Sequence, residues 1–249
     1  STIVLIFWSA FFEPPIVEKQ TVNNEVSKNE SIPTPSIDER ESKSEINRSE
    51  VISNTDRVKL ENENIKGSIS LEGGIIDDVI FKNYKKTLNS EDKVTFLNPR
   101  KFSNEYFIES GWSTSANEQI NLPLVSTLWK IKGNNYLTPN NPVELEWDNG
   151  QGLIFKKIIT LDDKFLFKIT QKIKNNSDKS FQFYPYAQIT RKGKPEGRQI
   201  YILHEGFLGV FGDELKEKDY SDIDKEKFSI TSSKGWLGIT DKYWLTAIV

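Results

Sequence analysis

The segment 164–174 reads KFLFKITQKIK and alternates between apolar and polar residues. Apolar side chains occupy positions 165, 167, 169 and 173, whereas lysine or threonine occupies 164, 168, 170, 172 and 174; Leu166 is the exception. Successive side chains of a strand point to opposite faces, so this pattern predicts a strand with one face in a core and the other in water.

The same period of two continues on both sides of this segment. On the C-terminal side, Asn-Asn-Ser-Asp at 175–178 predicts a turn, and the next strand carries Pro185, which favours an edge or a bulge. On the N-terminal side, Asn149-Gly150 predicts a hairpin turn. Residues 143–189 therefore predict a meander of four strands.

Further strands and one weak helix complete this interpretation. Strands are predicted at 67–72, 75–81, 93–97, 104–109, 124–132, 200–211, 228–232 and 235–249, and the best helical stretch is the charged segment 214–218. Many strands separated by turns predict an all-β fold, a large antiparallel β-sandwich with little helix.

Two segments of different character precede this domain. Residues 1–12 are uncharged and apolar and end in aromatic residues before Glu13-Pro14-Pro15, as at the interfacial end of a membrane helix. Twelve residues are too few to span a bilayer, so 1–12 are predicted to be the C-terminal end of a transmembrane helix. A buried strand or core helix is the alternative.

Residues 13–53 contain no aromatic residue and no glycine, and carry nine acidic against five basic side chains. Such a composition buries too little apolar surface to offset the entropy of ordering, so it predicts a disordered acidic linker. An acidic recognition tail is the alternative. Residues 54–249 are then a single β-sandwich domain, and the chain, which has no methionine, is interpreted as a fragment.

Composition excludes several kinds of protein. The 249 residues include 33 Lys and Arg against 36 Asp and Glu, a net charge of −3, which argues against nucleic acid as a partner. With no cysteine and one histidine, disulfides, zinc-cysteine sites and His-rich metal sites are excluded. No phosphate-binding loop or nucleophile motif is present, so no catalytic, cofactor or metal site is predicted.

The candidates for acid–base chemistry are few. His204 and Glu205 are adjacent, and neighbours on a strand point to opposite faces, so a structural histidine is favoured. The pairs Asp77-Asp78 and Asp162-Asp163 each lie next to a predicted turn, where solvated carboxylates are favoured over a glycosidase pair. The acidic stretch 213–224 is interpreted as an exposed loop, since it lacks calcium-loop spacing.

Aromatic residues leave a second hypothesis open. Six tryptophans could include a sugar-stacking platform on the sandwich, with His204 and Glu205 as a weak candidate sugar site. Most of the tryptophans are flanked by apolar strand residues, which favours core packing instead. A carbohydrate-binding or aldose-epimerase-like sandwich therefore remains the alternative function.

Five segments in order along the chain resemble the YidC-type membrane protein insertases of Gram-negative bacteria. They are LEGGIIDD at 71–78, LTP at 137–139, WDNGQGL at 147–153, YILHEG at 201–206 and GITDKYW at 238–244. Their order and spacing are specific, although Phe207 follows Gly206 where a proline is expected in the family.

The resemblance implies a function, a fold and partners. It implies a periplasmic domain with a twisted sandwich similar to galactose mutarotase, in a non-enzymatic protein of the bacterial inner membrane that aids insertion and folding of membrane proteins. The implied partners are nascent inner-membrane proteins, the Sec translocon with its accessory subunits, and the lipid bilayer through the N-terminal helix. The implied role of the domain itself is docking or scaffolding, with residues 13–249 in the periplasm and no cofactor.

Overall fold

The computed structural model describes residues 47–115, 119–195, 204–223 and 227–249. Within these ranges the chain forms two short helices, fifteen strands and three sheets. In chain order the elements are α1 (Arg48–Ser53), β1 (Arg57–Glu61), β2 (Ile65–Ser70), β3 (Ile75–Lys85), β4 (Lys93–Leu97), β5 (Tyr106–Thr114), β6 (Lys130–Lys132), β7 (Tyr136–Leu137), β8 (Val143–Asp148), β9 (Leu153–Leu161), β10 (Phe167–Asn175), β11 (Phe183–Arg191), β12 (Gly206–Phe211), β13 (Glu214–Asp219), α2 (Tyr220–Ile223), β14 (Gly235–Thr240) and β15 (Leu245–Ile248).

Two of the sheets form a sandwich. The first has the order β11-β5-β3-β2-β1-β7, with β4 also paired to β3, and the second has the order β10-β9-β8-β6. The ring centroid of Phe155 on β9 lies 5.1 Å from that of Trp112 on β5 and 5.8 Å from that of Phe183 on β11. The inner faces of the two sheets therefore share one core. The prediction of an all-β sandwich with little helix is confirmed. Its pairing is antiparallel except between β1 and β7, which run parallel.

The central strand of the second sheet shows why the sequence folds this way. On β9, buried and half-buried side chains alternate strictly from Leu153 to Leu161. The hairpin before it closes at Gly150, which has a φ of +70°. Asn149 Oδ1 accepts a hydrogen bond from the Leu153 amide at 3.0 Å, so the side chain fixes the turn that sets the register.

A third sheet, of order β13-β12-β14-β15, packs against the first. Arg191 at the end of β11 binds both carboxylate oxygens of Asp241, at 2.6 and 2.7 Å. The hydroxyl of Tyr106 donates to Thr246 Oγ1 at 2.7 Å, and Arg191 lies over the Tyr106 ring. These contacts join β5 and β11 to β15 and to the turn before it.

The predicted meander of four strands is wrong in its last member. Strands β8, β9 and β10 form consecutive hairpins, but β11 crosses to the first sheet and pairs with β5 along its whole length. The apolar face of β11 buries Phe183 and Ile189 against the core from the opposite side. Alternation shows which residues are buried, but it does not show which sheet they join.

Other predicted elements differ in extent or type. Residues 214–218 form a strand rather than the predicted helix, since their backbone pairs with β12. The acidic stretch 213–224 is therefore not simply an exposed loop, because this strand lies within it. The segment 235–249 forms two strands joined by a turn. Within the predicted strand 124–132, only residues 130–132 form a named strand, and residues 228–232 do not form a strand. The predicted strand 200–211 begins at Gly206, while 200–203 lie outside the described residues.

The N-terminal segments are described only from residue 47 onward. The predicted helix end at 1–12 and most of the predicted linker 13–53 lie outside the described residues. Residues 48–53, at the end of that linker, form α1, which is capped by Asn47 and buries Val51. No helix in the described ranges is long and apolar enough to cross a bilayer.

Candidate functional site

The carboxylates of Asp77 and Asp78 lie on the same side of β3. Ser68 of β2 pairs with Asp78 and Ile69 pairs with Ile76, so Asp77 is the extra residue of a β-bulge. A bulge places two residues opposite one and re-aims a side chain. Strand alternation alone predicts that the two carboxylates diverge; the bulge brings them together.

The two aspartates are buried ion-pair partners and not solvated turn residues. They are 2% and 6% exposed, which overturns the solvent-exposed interpretation of this pair. Arg57 binds Asp77, and Arg48 of α1 binds Asp78. Ser68 Oγ donates to Asp78 Oδ2 at 2.6 Å and accepts from Arg57 Nε at 2.7 Å, so all four charges belong to one network.

Burial sets the electrostatics of this aspartate network. It raises the pKa of Asp77 to about 6, against the lowering effect of the Arg57 guanidinium. Arg48 Nε also donates to Asn98 Oδ1 at 3.0 Å, so the network holds α1 against β3 and the loop after β4. The adjoining cavity is only about 20 Å³, too small for a sugar, so the network has a structural role.

A second buried polar cluster lies at Lys157. This lysine is 1% exposed and points inward from β9, between Phe155 and Ile159. Its Nζ donates to the carbonyl oxygens of Gly73 at 3.0 Å and Gly74 at 3.2 Å, in the turn between β2 and β3. The ammonium thus ties the second sheet to the first through the middle of the core.

Desolvation controls the charge of Lys157. Burial lowers its pKa to about 8, and the carboxylate of Glu109 partly opposes this shift. Burial likewise raises the pKa of Glu109. The Nζ lies 4.9 Å from the Trp129 ring, a favourable cation–π position.

The Lys157 cluster is not arranged for nucleophilic catalysis. A serine–lysine pair requires a hydrogen bond between the two side chains, but the hydroxyl of Ser110 has no hydrogen-bond partner among the described residues. The cavity between Ser110, Glu109 and Lys157 is about 10 Å³, the volume of one water and not of a substrate. The cluster therefore holds the two sheets together.

The structure gives His204 structural contacts. Its Nε2 lies 3.1 Å from the carbonyl oxygen of Phe207, and its Nδ1 lies 3.1 Å from a carboxylate oxygen of Asp219 on β13. Both ring nitrogens therefore face groups of the third sheet rather than Glu205. In the other carboxylate pair, Asp162 Oδ1 accepts from the amides of Lys164 and Leu166, in the turn predicted there.

An apolar cleft of about 490 Å³ opens at the surface of the domain. We call it the open cleft; its exposed rim includes Phe165, Leu166 and Leu245, and Phe81 and Trp244 lie deeper. Trp244 packs 4.6 Å from Phe81 and 4.8 Å from Tyr84 between ring centroids, so its ring faces neighbouring aromatics. Leu166 is 64% exposed, a large apolar side chain presented to solvent.

The tryptophans and acidic residues that the structure describes show no sugar or metal site. Trp112 and Trp129 are buried core residues, as core packing predicts. Among the described residues no group of three or more acidic or histidine side chains is arranged to hold a metal ion. Nothing in these contacts supports the carbohydrate alternative.

Sequence reasoning missed Lys157, Arg57 and Arg48. A signal existed for Lys157, because it occupies an inward position in the alternating row of β9. For the arginines there was none, since their partners depend on a bulge and on a helix in the segment interpreted as a linker.

Comparison with known proteins assigns the family. The family model described as the YidC periplasmic domain matches residues 57–249. The whole chain is 46% identical to the membrane protein insertase YidC of Pelagibacter ubique, covering 45% of that protein, and 37% identical to that of Beijerinckia indica, covering 44%. The chain thus spans about half the length of the curated relatives it matches. With a match over residues 57–249, the chain belongs to the family of YidC periplasmic domains.

Proposed function

We propose that this chain is the periplasmic docking and scaffold module of a membrane protein insertase, without an enzymatic activity of its own. The observation that carries the proposal is the match over the whole chain to relatives named as membrane protein insertases. The proposed setting is the bacterial inner membrane, with residues 13–249 in the periplasm and residues 1–12 in the bilayer.

The open cleft is the proposed docking surface of this module. Its exposed rim at Phe165, Leu166 and Leu245 offers apolar area that soluble monomers normally bury. The proposed partners are nascent inner-membrane proteins, whose apolar segments match this rim, and the Sec translocon with its accessory subunits.

Site-specific photo-crosslinking in cells tests the proposal. A photoreactive amino acid replaces Leu166 in the protein that carries this chain, and Lys234, in the turn before β14, is the matched control site. Crosslinks to nascent membrane proteins or to translocon subunits from position 166, and not from 234, are expected. Equal labelling at both sites, or none during active insertion, would refute docking at the cleft.

A genetic test addresses the insertase role itself. Cells that depend on the protein are given a version without residues 57–249, and insertion of a panel of inner-membrane proteins is followed by protease accessibility. Reduced insertion or folding of part of the panel is expected. Normal insertion of every protein tested would show that residues 57–249 are not required for insertion.

A further inference from the structure

The outer face of the second sheet carries a row of exposed lysines. Lys168, Lys172 and Lys174 of β10 point away from the core and are exposed, whereas Phe167, Ile169 and Ile173 point inward. At a rise of about 3.4 Å per residue the row is about 20 Å long. We call these three residues the lysine row.

The lysine row faces no negative charge across the sheet. The register places Lys168 opposite Thr160, Lys172 opposite Lys156 and Lys174 opposite Ile154. No ion pair among residues 47–115, 119–195, 204–223 and 227–249 includes any of the three.

The other side of the same face is neutralised. Lys156 of β9 binds Glu144 at 2.7 Å and Glu146 at 3.0 Å, and Lys132 of β6 binds Glu146 at 3.3 Å. The two glutamates of β8 are thus saturated by nearer lysines. The positive charge of β10 stands alone, on a chain whose net charge is −3.

Lysine on an edge strand also prevents pairing with other sheets, and β10 is an edge strand. That role needs only an occasional lysine. Three on one face, with the half-exposed Ile154 and Ile158 beside them, form a basic surface with an apolar strip. A single small anion needs convergent donors, whereas a straight row matches an extended negative surface.

We infer that the lysine row binds the anionic surface of a phospholipid bilayer, with the outer face of the second sheet against the headgroups. The geometry matches a surface that presents many negative charges in one plane, and each lysine near such a surface adds to binding. The inference rests on the proposed function only in placing the domain beside a membrane; it does not require insertion activity.

Vesicle co-sedimentation of the whole chain tests this inference. Vesicles of phosphatidylcholine alone are compared with vesicles containing phosphatidylglycerol, at low and at high salt. Tighter binding to the anionic vesicles than to phosphatidylcholine alone, with the difference reduced by salt, is expected. In the variant with Lys168, Lys172 and Lys174 each changed to Gln, the ratio of the partition coefficients on anionic and neutral vesicles should fall on the order of a hundredfold.

The matched control changes Lys59, Lys66 and Lys86 to Gln, which removes the same charge from exposed positions in or beside the first sheet. Circular dichroism of both variants verifies that they are folded. A control variant that loses as much binding as the lysine-row variant would overturn the inference, because net charge would then explain the effect. Equal binding to the two kinds of vesicle at low salt would overturn it as well, and would leave the crosslinking and insertion tests unaffected.

Discussion

At the scale of single residues, Lys157 shows what the sequence reveals and what it hides. The alternation of β9 places this side chain inside the sandwich without any structure. Its partners are carbonyl oxygens of Gly73 and Gly74, more than eighty positions earlier. No local pattern encodes a contact between a side chain and a distant backbone turn, so burial was predictable and the contact was not.

The stability of the domain should depend on pH through Lys157. Its pKa is about 8 in the folded state, against an ordinary value of 10.5. Between these values the unfolded chain holds the proton and the folded chain does not, so stability rises with pH in that window. Relative to Lys157→Met, the natural protein should gain up to about 3 kcal/mol between pH 8 and pH 10.5.

Urea unfolding at both pH values measures this difference. The exposed Lys66 supplies the control, since Lys66→Met makes the same substitution at a solvent-exposed position. A stability difference between Lys157→Met and the natural protein that stays constant with pH would show that the amine is not desolvated in solution.

Gly74 is a second position where a single added side chain should lower the stability of the domain. Its φ is +58°, and an added Cβ would lie 3.2 Å from the Trp129 ring and 3.3 Å from Lys157 Nζ. Gly74→Ala should therefore destabilise by about 2 kcal/mol, from backbone strain and crowding together. Gly133→Ala isolates the strain alone, because Gly133 has a φ of +81° and open space around it. Thermal unfolding of both variants is the measurement, and equal losses would contradict the crowding.

At the scale of elements, the β-bulge of β3 explains why the aspartate pair was misinterpreted. Sequence alone places Asp77 and Asp78 on opposite faces and next to the Gly73-Gly74 turn. The one-residue shift against β2 rotates them to the same side, where two arginines neutralise them. A bulge is a property of strand pairing, so its position was not readable before the partner strand was known.

Arg48 should hold helix α1 in place. Arg48→Ala leaves the buried carboxylate of Asp78 without its arginine, which should cost about 3 kcal/mol. Glu50→Ala, at an exposed position of the same helix, should cost less than about 0.5 kcal/mol. Chemical denaturation compares the two, and faster proteolysis near residue 54 is expected for Arg48→Ala only. Similar unfolding midpoints for the two variants would show that the helix is held by other contacts.

The third sheet should depend on Arg191 in the same way. Arg191→Ala removes both hydrogen bonds to Asp241 and the contact over Tyr106, and should cost about 2 kcal/mol. Hydrogen exchange should accelerate in β14 and β15 before it does in β9. Lys234→Ala breaks only an exposed pair with Asp213 and should change neither. Uniform acceleration over all sheets would contradict a local role.

At the scale of the whole molecule, the folded unit should begin at residue 47. The sequence predicted a start at 54, because the composition of 48–53 continues that of the polar segment before it. A chain of residues 47–249 retains the Arg48–Asp78 pair, and one of 54–249 lacks it. The longer chain should therefore melt higher, by about 5–10 °C. Limited proteolysis of the full chain should cut within 13–46. Equal melting temperatures for the two shorter chains would show that the folded unit begins at residue 54 instead.

Most of the architecture was predictable, since turns and alternation placed β2, β3, β4, β8, β9 and β10 within a few residues. What escaped prediction was the choice of partner strand, as for β11, and the extent of strands whose charged residues resemble a helix, as for β13. The same holds for the buried polar clusters. Sequence alternation indicates which residues are buried, but it does not indicate the contacts between distant segments.

The crossing of β11 to the first sheet has a consequence for how the chain acquires its fold. Strand β5 ends at Thr114, and its outer neighbour begins only at Phe183. A polypeptide that emerges from its N-terminus must therefore carry an unpaired edge while some seventy further residues appear. Non-local closure of this kind slows folding and exposes aggregation-prone intermediates. Until β11 pairs with it, the edge of β5 should therefore be open to pairing with strands of other chains.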